Sequence, residues 1–219
     1  MNLLPYEPFT PAELEQIALD IRKRPGCLDG CRFRIESFVE QQGFQIYPVE
    51  GLREEFGIEA YLGANRRIFV DEKLMNASSP RYFSTLLEEV VHSILHMPSD
   101  HNELVATPEE IRDAVAKMSD HEYAVMEKDA KYLVGAILMP KAEFSEQFHK
   151  HYADLKKRLK THAFHHTLVR TTIRRLYQAY CVSLEAATFR AFALHLISRH
   201  DLNELSKYRP TEFNRASSI

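Results

Sequence analysis

Residues 86–96, Leu-Leu-Glu-Glu-Val-Val-His-Ser-Ile-Leu-His, contain adjacent carboxylates and two histidines that are four residues apart. Residues at this spacing project side by side from a helix, so an H-E-x-x-H helix supplies two zinc ligands and a glutamate base between them. Here Glu88 stands where the first histidine is expected, Glu89 holds the base position and His92 the second ligand position. The stretch predicts either a metal site with a changed ligand or an ordinary amphipathic helix.

A second candidate pair of metal ligands is formed by His92 and His96, which also lie four residues apart. None of the three residues between them is acidic, so no base would be placed for catalysis. His96 is therefore an alternative metal ligand. His101 or His121 could replace the missing histidine ligand. The histidines that cluster beside basic residues are interpreted as surface residues; they are His149, His151, His162, His165 and His166.

The elements that must position these groups can be read from capping boxes and apolar periodicity. Helices are predicted to begin at Thr10-Pro11-Ala12-Glu13, Thr107-Pro108-Glu109-Glu110 and Ser119-Asp120-His121-Glu122. Short strands are predicted over 44–47, 60–62 and 67–70. From residue 80 the pattern is helical almost throughout, and the helix over 86–96 has an apolar face made of Leu86, Leu87, Val90, Val91, Ile94 and Leu95.

Residues 127–140, Glu-Lys-Asp-Ala-Lys-Tyr-Leu-Val-Gly-Ala-Ile-Leu-Met-Pro, resemble the E-x-E-A-N-x-F-A-x-x-L-L-M-P motif of the ImmA/IrrE family of metallopeptidases. Asp129 replaces the second glutamate of the motif, and Lys131 replaces its asparagine. Residues 67–71, 80–87 and 182–190 resemble, in order, an edge strand, the run before the metal helix and a later V-S-x-E-A-x-x-x-R segment of that family. His96 also fits, since the family often carries a further histidine there, and the resemblance covers about residues 30–195.

The resemblance implies a zincin-like fold, one zinc ion and action on helix-turn-helix transcriptional repressors, often after DNA damage or another stress. Glu127 then takes the third ligand position beside Glu88 and His92, and Glu89 becomes the base that takes a proton from water. The expected partner is a helix-turn-helix repressor encoded nearby, as in a phage or another mobile element. The same residues also fit a plainer interpretation, in which Glu88 and His92 form a solvated pair and Glu127 pairs with Lys131.

The charge of the ligand set decides what such a site could do. Two histidines and one carboxylate leave a bound zinc with net positive charge, whereas Glu88, His92 and Glu127 would cancel it. More oxygen ligands shift the preference from zinc toward Mn(II) or Fe(II), and a metal-free state is an alternative. Without metal, three neighbouring carboxyl groups should leave at least one with a raised pKa.

Charge is distributed unevenly along the chain despite a formal net charge of only -3. Residues 82–130 contain eleven acidic and three basic residues, whereas residues 155–184 contain seven basic and no acidic ones. Residues 172–187 have the pattern of a helix-turn-helix motif. Because the first helix of this pattern is basic, Arg170, Arg174 and Arg175 are candidates for contact with DNA or an acidic partner. The second helix of that pattern offers only Thr188, Phe189 and Arg190, which favours packing against the first domain over DNA reading for this helix.

Composition and cysteine usage favour a cytoplasmic protein with no membrane contact. The N-terminus lacks a basic, apolar leader, and no stretch is apolar for long enough to cross a bilayer. Three cysteines fit free thiols in a reducing compartment, and Cys27-x-x-x-Cys31 without a second pair is a weak metal signal.

Together these patterns predict an α+β chain with a zincin-like domain over 1–140, containing a small antiparallel or mixed sheet and the E-E-x-x-H helix. An all-helical subdomain over 141–200 and a polar tail over 201–219 are expected to follow. The predicted function is a regulatory metallopeptidase homologue acting on a repressor. The alternatives are a pseudopeptidase that binds a repressor or DNA without cleavage, and a DNA-contacting role for the basic half.

Overall fold

The computed structural model describes residues 7–29, 32–77, 79–96, 107, 109–110, 119–158 and 164–207. The chain divides into two compact units, with the boundary between Pro140 and Lys141. Small sheets and many helices give the α+β class that was predicted. No described helix is both long enough and apolar enough to span a membrane.

The first unit contains six helices among its described residues: α1 (Pro11–Arg22), α2 (Ile35–Gln41), α3 (Leu52–Phe56), α4 (Glu72–Asn76), α5 (Pro80–His96) and α6 (Asp120–Leu138). The capping box at Thr10 begins α1, and the one at Ser119 begins α6, as predicted. The short helices α3 and α4 were not predicted. Thr107 accepts a hydrogen bond from the backbone N–H of Glu110, but the rest of the helix predicted there lies outside the described residues.

The strands form a hairpin and a mixed three-stranded sheet. The hairpin pairs β1 (Leu28–Asp29) with β2 (Arg32–Phe33), and the sheet contains β3 (Gln45–Val49), β4 (Ala60–Gly63) and β5 (Arg67–Asp71). Its order is β3-β5-β4, with β3 parallel and β4 antiparallel to β5. The sheet is mixed because the connection that carries α3 separates β3 from β4, whereas a tight turn joins β4 to β5. Asn65 and Arg66 adopt left-handed backbone conformations in that turn.

The core of the first unit packs one face of α5 against α2, α6 and the sheet. Leu86, Leu87, Val90 and Val91 have no exposed surface, as the apolar period predicted. Ile94 departs from the prediction, because 37% of its surface is exposed near the end of the helix. The buried face fixes the rotation of α5 about its axis and so determines where its polar side chains point.

Helix α6 supplies the second wall of the polar region. Ala130, Leu133, Val134 and Ile137 bury one face of this helix in the core. It ends at Leu138, because the residue before Pro140 is disfavoured in helical conformation.

All regular secondary structure in the described residues of the second unit is helical, with α7 (Lys141–Arg158), α8 (His165–Tyr180), α9 (Leu184–Ala193) and α10 (Arg199–Lys207). Helix α10 differs from the polar tail expected over 201–219. Asp201 and Leu202 are buried, and the Asp201 carboxylate accepts hydrogen bonds from the backbone N–H and the hydroxyl of Ser198. The polar composition of this segment led to the expectation of a tail, although Ser198 and Asp201 have the spacing of a helix cap. Residues 208–219 lie outside the described part of the chain.

Candidate metal centre

Helices α5 and α6 bring three predicted ligand residues into one cluster. Glu88 and His92 lie one turn apart on α5, and Glu127 faces them from α6. Each offers one ligand atom, and these three atoms all lie within 4.8 Å of one another. Residues separated by about 35 positions in sequence therefore converge because the two helices pack through their apolar faces.

Glu127 is the best-satisfied carboxylate of this cluster. Its Oε1 lies 3.3 Å from His92 Nε2, and its Oε2 accepts a hydrogen bond of 2.8 Å from Lys131 Nζ. The hydrogen bond with His92, together with that from Lys131, lowers the pKa of Glu127 to about 2. Glu127 is therefore anionic across the physiological pH range, and the plainer prediction of an ion pair with Lys131 is confirmed.

Glu88 is in the opposite situation. Its Oε1 is buried, and no described residue gives it a hydrogen bond. Burial, followed by the negative charge of Glu127, raises the pKa of Glu88 above its ordinary value. Burying an unpaired polar oxygen costs free energy, so this atom is suited to accept a cation or hold a proton. The plainer interpretation, a solvated Glu88–His92 pair, did not include this buried oxygen, although Glu88 as a whole is half-buried.

Glu89 occupies the shoulder of α5 that faces the sheet. The backbone N–H of Leu62 in β4 donates a hydrogen bond to its carboxylate. Burial is the main cause that raises the pKa of Glu89 to about 7, and the negative charges of Glu88 and Glu127 add to it. The expectation of a carboxyl group with a raised pKa in the metal-free cluster is thus confirmed.

His92 contacts Glu127 through one ring nitrogen and His96 through the other. Its Nδ1 lies 2.9 Å from His96 Nδ1. Burial tends to lower the pKa of His92, but the hydrogen bond with Glu127 and the charge of Glu89 raise it overall. Burial and the charge of His92 lower the pKa of His96 to about 4. His96, predicted as an alternative ligand, does not belong to the group of three ligand atoms found in the described residues.

The residues present fit a divalent cation. Two carboxylates and an imidazole offer the donor atoms that zinc, manganese and iron accept, and the unpaired Glu88 oxygen points to the same requirement. Two carboxylates would cancel the charge of a divalent ion. Lys131, bonded to Glu127, adds one positive charge beside the cluster, and this charge also acts on Glu88.

Two neighbours of Glu127 on α6 interact with the cluster: Lys131, which was predicted only as the ion-pair partner of Glu127, and Tyr123, which was not predicted. Lys131 follows Glu127 by one turn, and Tyr123 precedes it by one turn. Burial and the charge of Glu127 raise the pKa of Tyr123, and Glu88 and Glu89 contribute to the same shift. Spacing of four residues predicted the contact of Lys131 with Glu127, and the same spacing on the other side could have found Tyr123.

The other predicted residues lie elsewhere. Arg170, Arg174 and Arg175 are on α8 in the second unit, where Arg175 pairs with Asp154 at 3.2 Å. Of the three residues on α9 considered for reading DNA, Thr188 and Arg190 are buried and Phe189 is exposed, which does not suit a DNA-reading helix. Cys27 is buried, and His101 and Cys31 lie outside the described residues.

The helix pair, the small mixed sheet and the acidic and imidazole ligands together define a metallopeptidase-like site. Comparison with protein families agrees with this class. The model of the IrrE N-terminal-like domain matches residues 44–192, which is more than half of the chain. The chain belongs to this metallopeptidase family, and the resemblance to ImmA/IrrE proteins is confirmed. A search among curated proteins found none that matches the chain.

Proposed function

We propose that this chain is a regulatory metallopeptidase homologue in which Glu88, His92 and Glu127 hold one divalent metal ion. The convergence of their three ligand atoms within 4.8 Å carries the proposal. The unpaired, buried oxygen of Glu88 supports it, because a cation would satisfy that oxygen. A glutamate in place of the usual first histidine makes the ligand set richer in oxygen, which favours Mn(II) or Fe(II) alongside zinc.

The metal would supply Lewis acidity, polarising a peptide carbonyl and making a water molecule more acidic. Glu89 is the group that would accept the proton from water, since it holds the base position on α5, directly after Glu88. In the metal-free chain its pKa is raised to about 7, chiefly by burial. The hydrogen bond from Leu62 holds the Glu89 carboxylate on the sheet side of α5. Lys131 keeps Glu127 anionic and oriented toward His92.

Lys131 also supplies positive charge next to a ligand set whose two carboxylates would otherwise leave none on the metal. A dication with Glu88, His92 and Glu127 sums to zero, and Lys131 returns the local sum to one positive charge. This equals the charge of a zinc ion bound by two histidines and one glutamate. Because 64% of the Lys131 side chain is exposed, solvent screens this compensation in part.

The proposed partner is a helix-turn-helix transcriptional repressor, which the chain would cleave or inactivate in response to stress. Membership of the IrrE N-terminal-like family supports this target class. The test is incubation of the metal-loaded protein with purified helix-turn-helix repressors encoded beside its gene, followed by mass spectrometry of the products. Specific cleavage of one repressor supports the proposal, whereas intact repressors that also fail to bind the protein would reject the target.

A second candidate is a pseudopeptidase that binds the same partner without cleavage. The observation that favours it is the internal pairing of the cluster, since Glu127 already contacts both His92 and Lys131. These contacts satisfy two of the three ligand residues without any metal.

Metal analysis separates the two candidates. We expect protein purified without chelator to contain near-stoichiometric transition metal, measured by mass spectrometry of the acid-digested protein. Protein that contains no metal and binds neither zinc nor manganese on addition would favour the pseudopeptidase. In that case Glu88→His should restore zinc binding, because the variant recovers the H-E-x-x-H ligand pair.

A further inference from the structure

The contact between His92 and His96 has a geometry that restricts where the imidazole protons lie. The two Nδ1 atoms are 2.9 Å apart, and the ring centroids are 5.0 Å apart with an angle of 50° between the planes. Neutral imidazole has one N–H donor and one acceptor nitrogen. At this distance one Nδ1 must carry the proton and the other must accept it.

The opposite edge of His92 identifies the donor. Its Nε2 lies 3.3 Å from Glu127 Oε1, and Glu88 belongs to the same group of ligand atoms. A bound cation would need the lone pair of Nε2, so the ring proton of a neutral His92 would have to be on Nδ1. In the metal-free protein, a protonated His92 would carry protons on both nitrogens. In both states the Nδ1 proton points toward His96.

We propose that His96 is a positioning residue whose unprotonated Nδ1 accepts the Nδ1–H of His92 and so keeps Nε2 directed at Glu88 and Glu127. The inference rests on the proposed metal site and deepens it. Histidine ligands in metal sites generally donate their second ring N–H to an outer partner, which fixes the ring orientation. The i, i+4 spacing on α5 allows His96 to be that partner.

This assignment gives His96 a role different from that of a ligand. Exchange of the Nε2 proton of His92 for a metal ion would require no rotation of either ring, because the hydrogen bond to His96 is the same in both states. His92 would therefore be held in the metal-binding orientation before metal arrives. Such preorganisation strengthens binding because less conformational freedom is lost on association.

The test compares two variants that differ in the acceptor. His96→Asn places an amide oxygen close to the position of Nδ1, whereas His96→Leu removes the acceptor but retains an apolar side chain of similar bulk. We expect His96→Leu to weaken Zn(II) and Mn(II) binding by about 10–100-fold, the usual effect of losing an outer partner. His96→Asn should bind within a few fold of the unmodified protein. Dissociation constants from competition with a fluorescent chelator provide the measurement, and thermal melting checks that both variants are folded.

A second readout follows the proton itself. In the zinc-loaded protein, the Nδ1–H of His92 should give a downfield proton NMR signal protected from exchange with water. The signal should persist in His96→Asn and be lost in His96→Leu. In the metal-free protein the same pattern is expected below the pKa of His92, where the ring is charged.

Unchanged metal affinity and a protected signal in His96→Leu would overturn the assignment, and so would equal losses in the two variants. Failure of the unmodified protein to bind either metal would reject the proposed metal site instead. In that case the Nδ1–H signal of His92 in the metal-free protein would by itself test whether His96 is the acceptor.

Discussion

The candidate metal cluster on α5 and α6 differs from the basic helix α8 in how far its charged side chains are exposed. In the cluster, Glu88, His92 and Glu127 converge from two helices into a half-buried space. On α8, Arg174 is exposed and Arg175 is half-exposed and bonded to Asp154. The sequence shows charge in both regions, but only the first concentrates it where access of solvent is reduced. Burial therefore distinguishes a chemical site from a solvated surface here.

The largest effect is expected from removing the proposed base, Glu89. Glu89→Gln keeps the size of the side chain and an acceptor for the Leu62 N–H, but it cannot take a proton. We expect repressor cleavage to fall by about a hundredfold to ten-thousandfold, the range for losing a general base. The measurement is a time course of product formation with metal-loaded protein.

The control for that prediction is metal content. Glu89 is not one of the three ligand residues, so Glu89→Gln should bind metal as the unmodified protein does. Undiminished cleavage by the variant would remove Glu89 from the mechanism, whereas loss of metal together with cleavage would assign it a structural role.

The second prediction concerns a ligand. Glu127→Gln replaces the cluster carboxylate that pairs with both His92 and Lys131, and it removes the anionic hydrogen-bond partner of His92. We expect metal affinity to fall by more than about 100-fold, since losing even an outer partner of a ligand costs 10–100-fold. Isothermal titration with Mn(II) and Zn(II) measures the change.

Lys128→Gln is the matched control, because Lys128 is exposed on the same helix and one residue away. It should change metal affinity by less than a few fold. A gain in affinity for Lys128→Gln as large as the loss for Glu127→Gln would mean that general electrostatics, rather than ligation, governs binding.

The outline of this site was predictable from the sequence because helical spacing and packing are regular. Positions 88, 89 and 92 of α5 could be assigned roles from their spacing alone, and α6 was found from its capping box at Ser119. The pairing of Glu127 with Glu88 and His92 needed the family resemblance, since no local rule relates two helices that are not adjacent in sequence. The family match supports that source of information.

Other features depended on tertiary contacts that residue patterns do not encode. The buried oxygen of Glu88 and the hydrogen bond from Leu62 to Glu89 follow from how α5 meets α6 and β4. The parallel pairing of β3 with β5 depends on where the connection carrying α3 runs. Ile94 shows the limit of periodicity, because the pattern assigns a face to a residue but does not tell whether another element covers it.

The third prediction tests burial directly in the metal-free protein. An ordinary pKa of 4.5 raised to about 7 corresponds to a cost of about 3 kcal/mol for ionising Glu89 in the folded state. The folded protein keeps a proton that the unfolded chain releases, so stability should fall as pH rises from 4.5 to about 7. Glu89→Gln should therefore be more stable than the unmodified protein by about 2 kcal/mol at pH 8, with little difference near pH 4.5.

Urea denaturation of chelator-treated protein at the two pH values measures this effect. Glu55→Gln is the control, because Glu55 is exposed on α3 and should show no such dependence on pH. A Glu89→Gln variant whose stability gain is the same at both pH values would contradict a buried, titrating carboxyl group.

The smallest effects are expected on α8. Arg174→Gln should change the free energy of unfolding by less than about 0.5 kcal/mol, as is usual for exposed charges. If α8 contacted DNA phosphates, duplex binding would weaken steeply with salt, and the variant would lower the slope of log K against log salt by about 1. We expect neither behaviour, because α9 buries Thr188 and Arg190 and presents only Phe189 of the three candidate reading residues. Salt-dependent DNA binding that Arg174→Gln reduces, measured by fluorescence anisotropy, would show that solvated charge on this helix has a function of its own. The candidate metal cluster and α8 would then be two different kinds of functional site, rather than a site and a surface without a function.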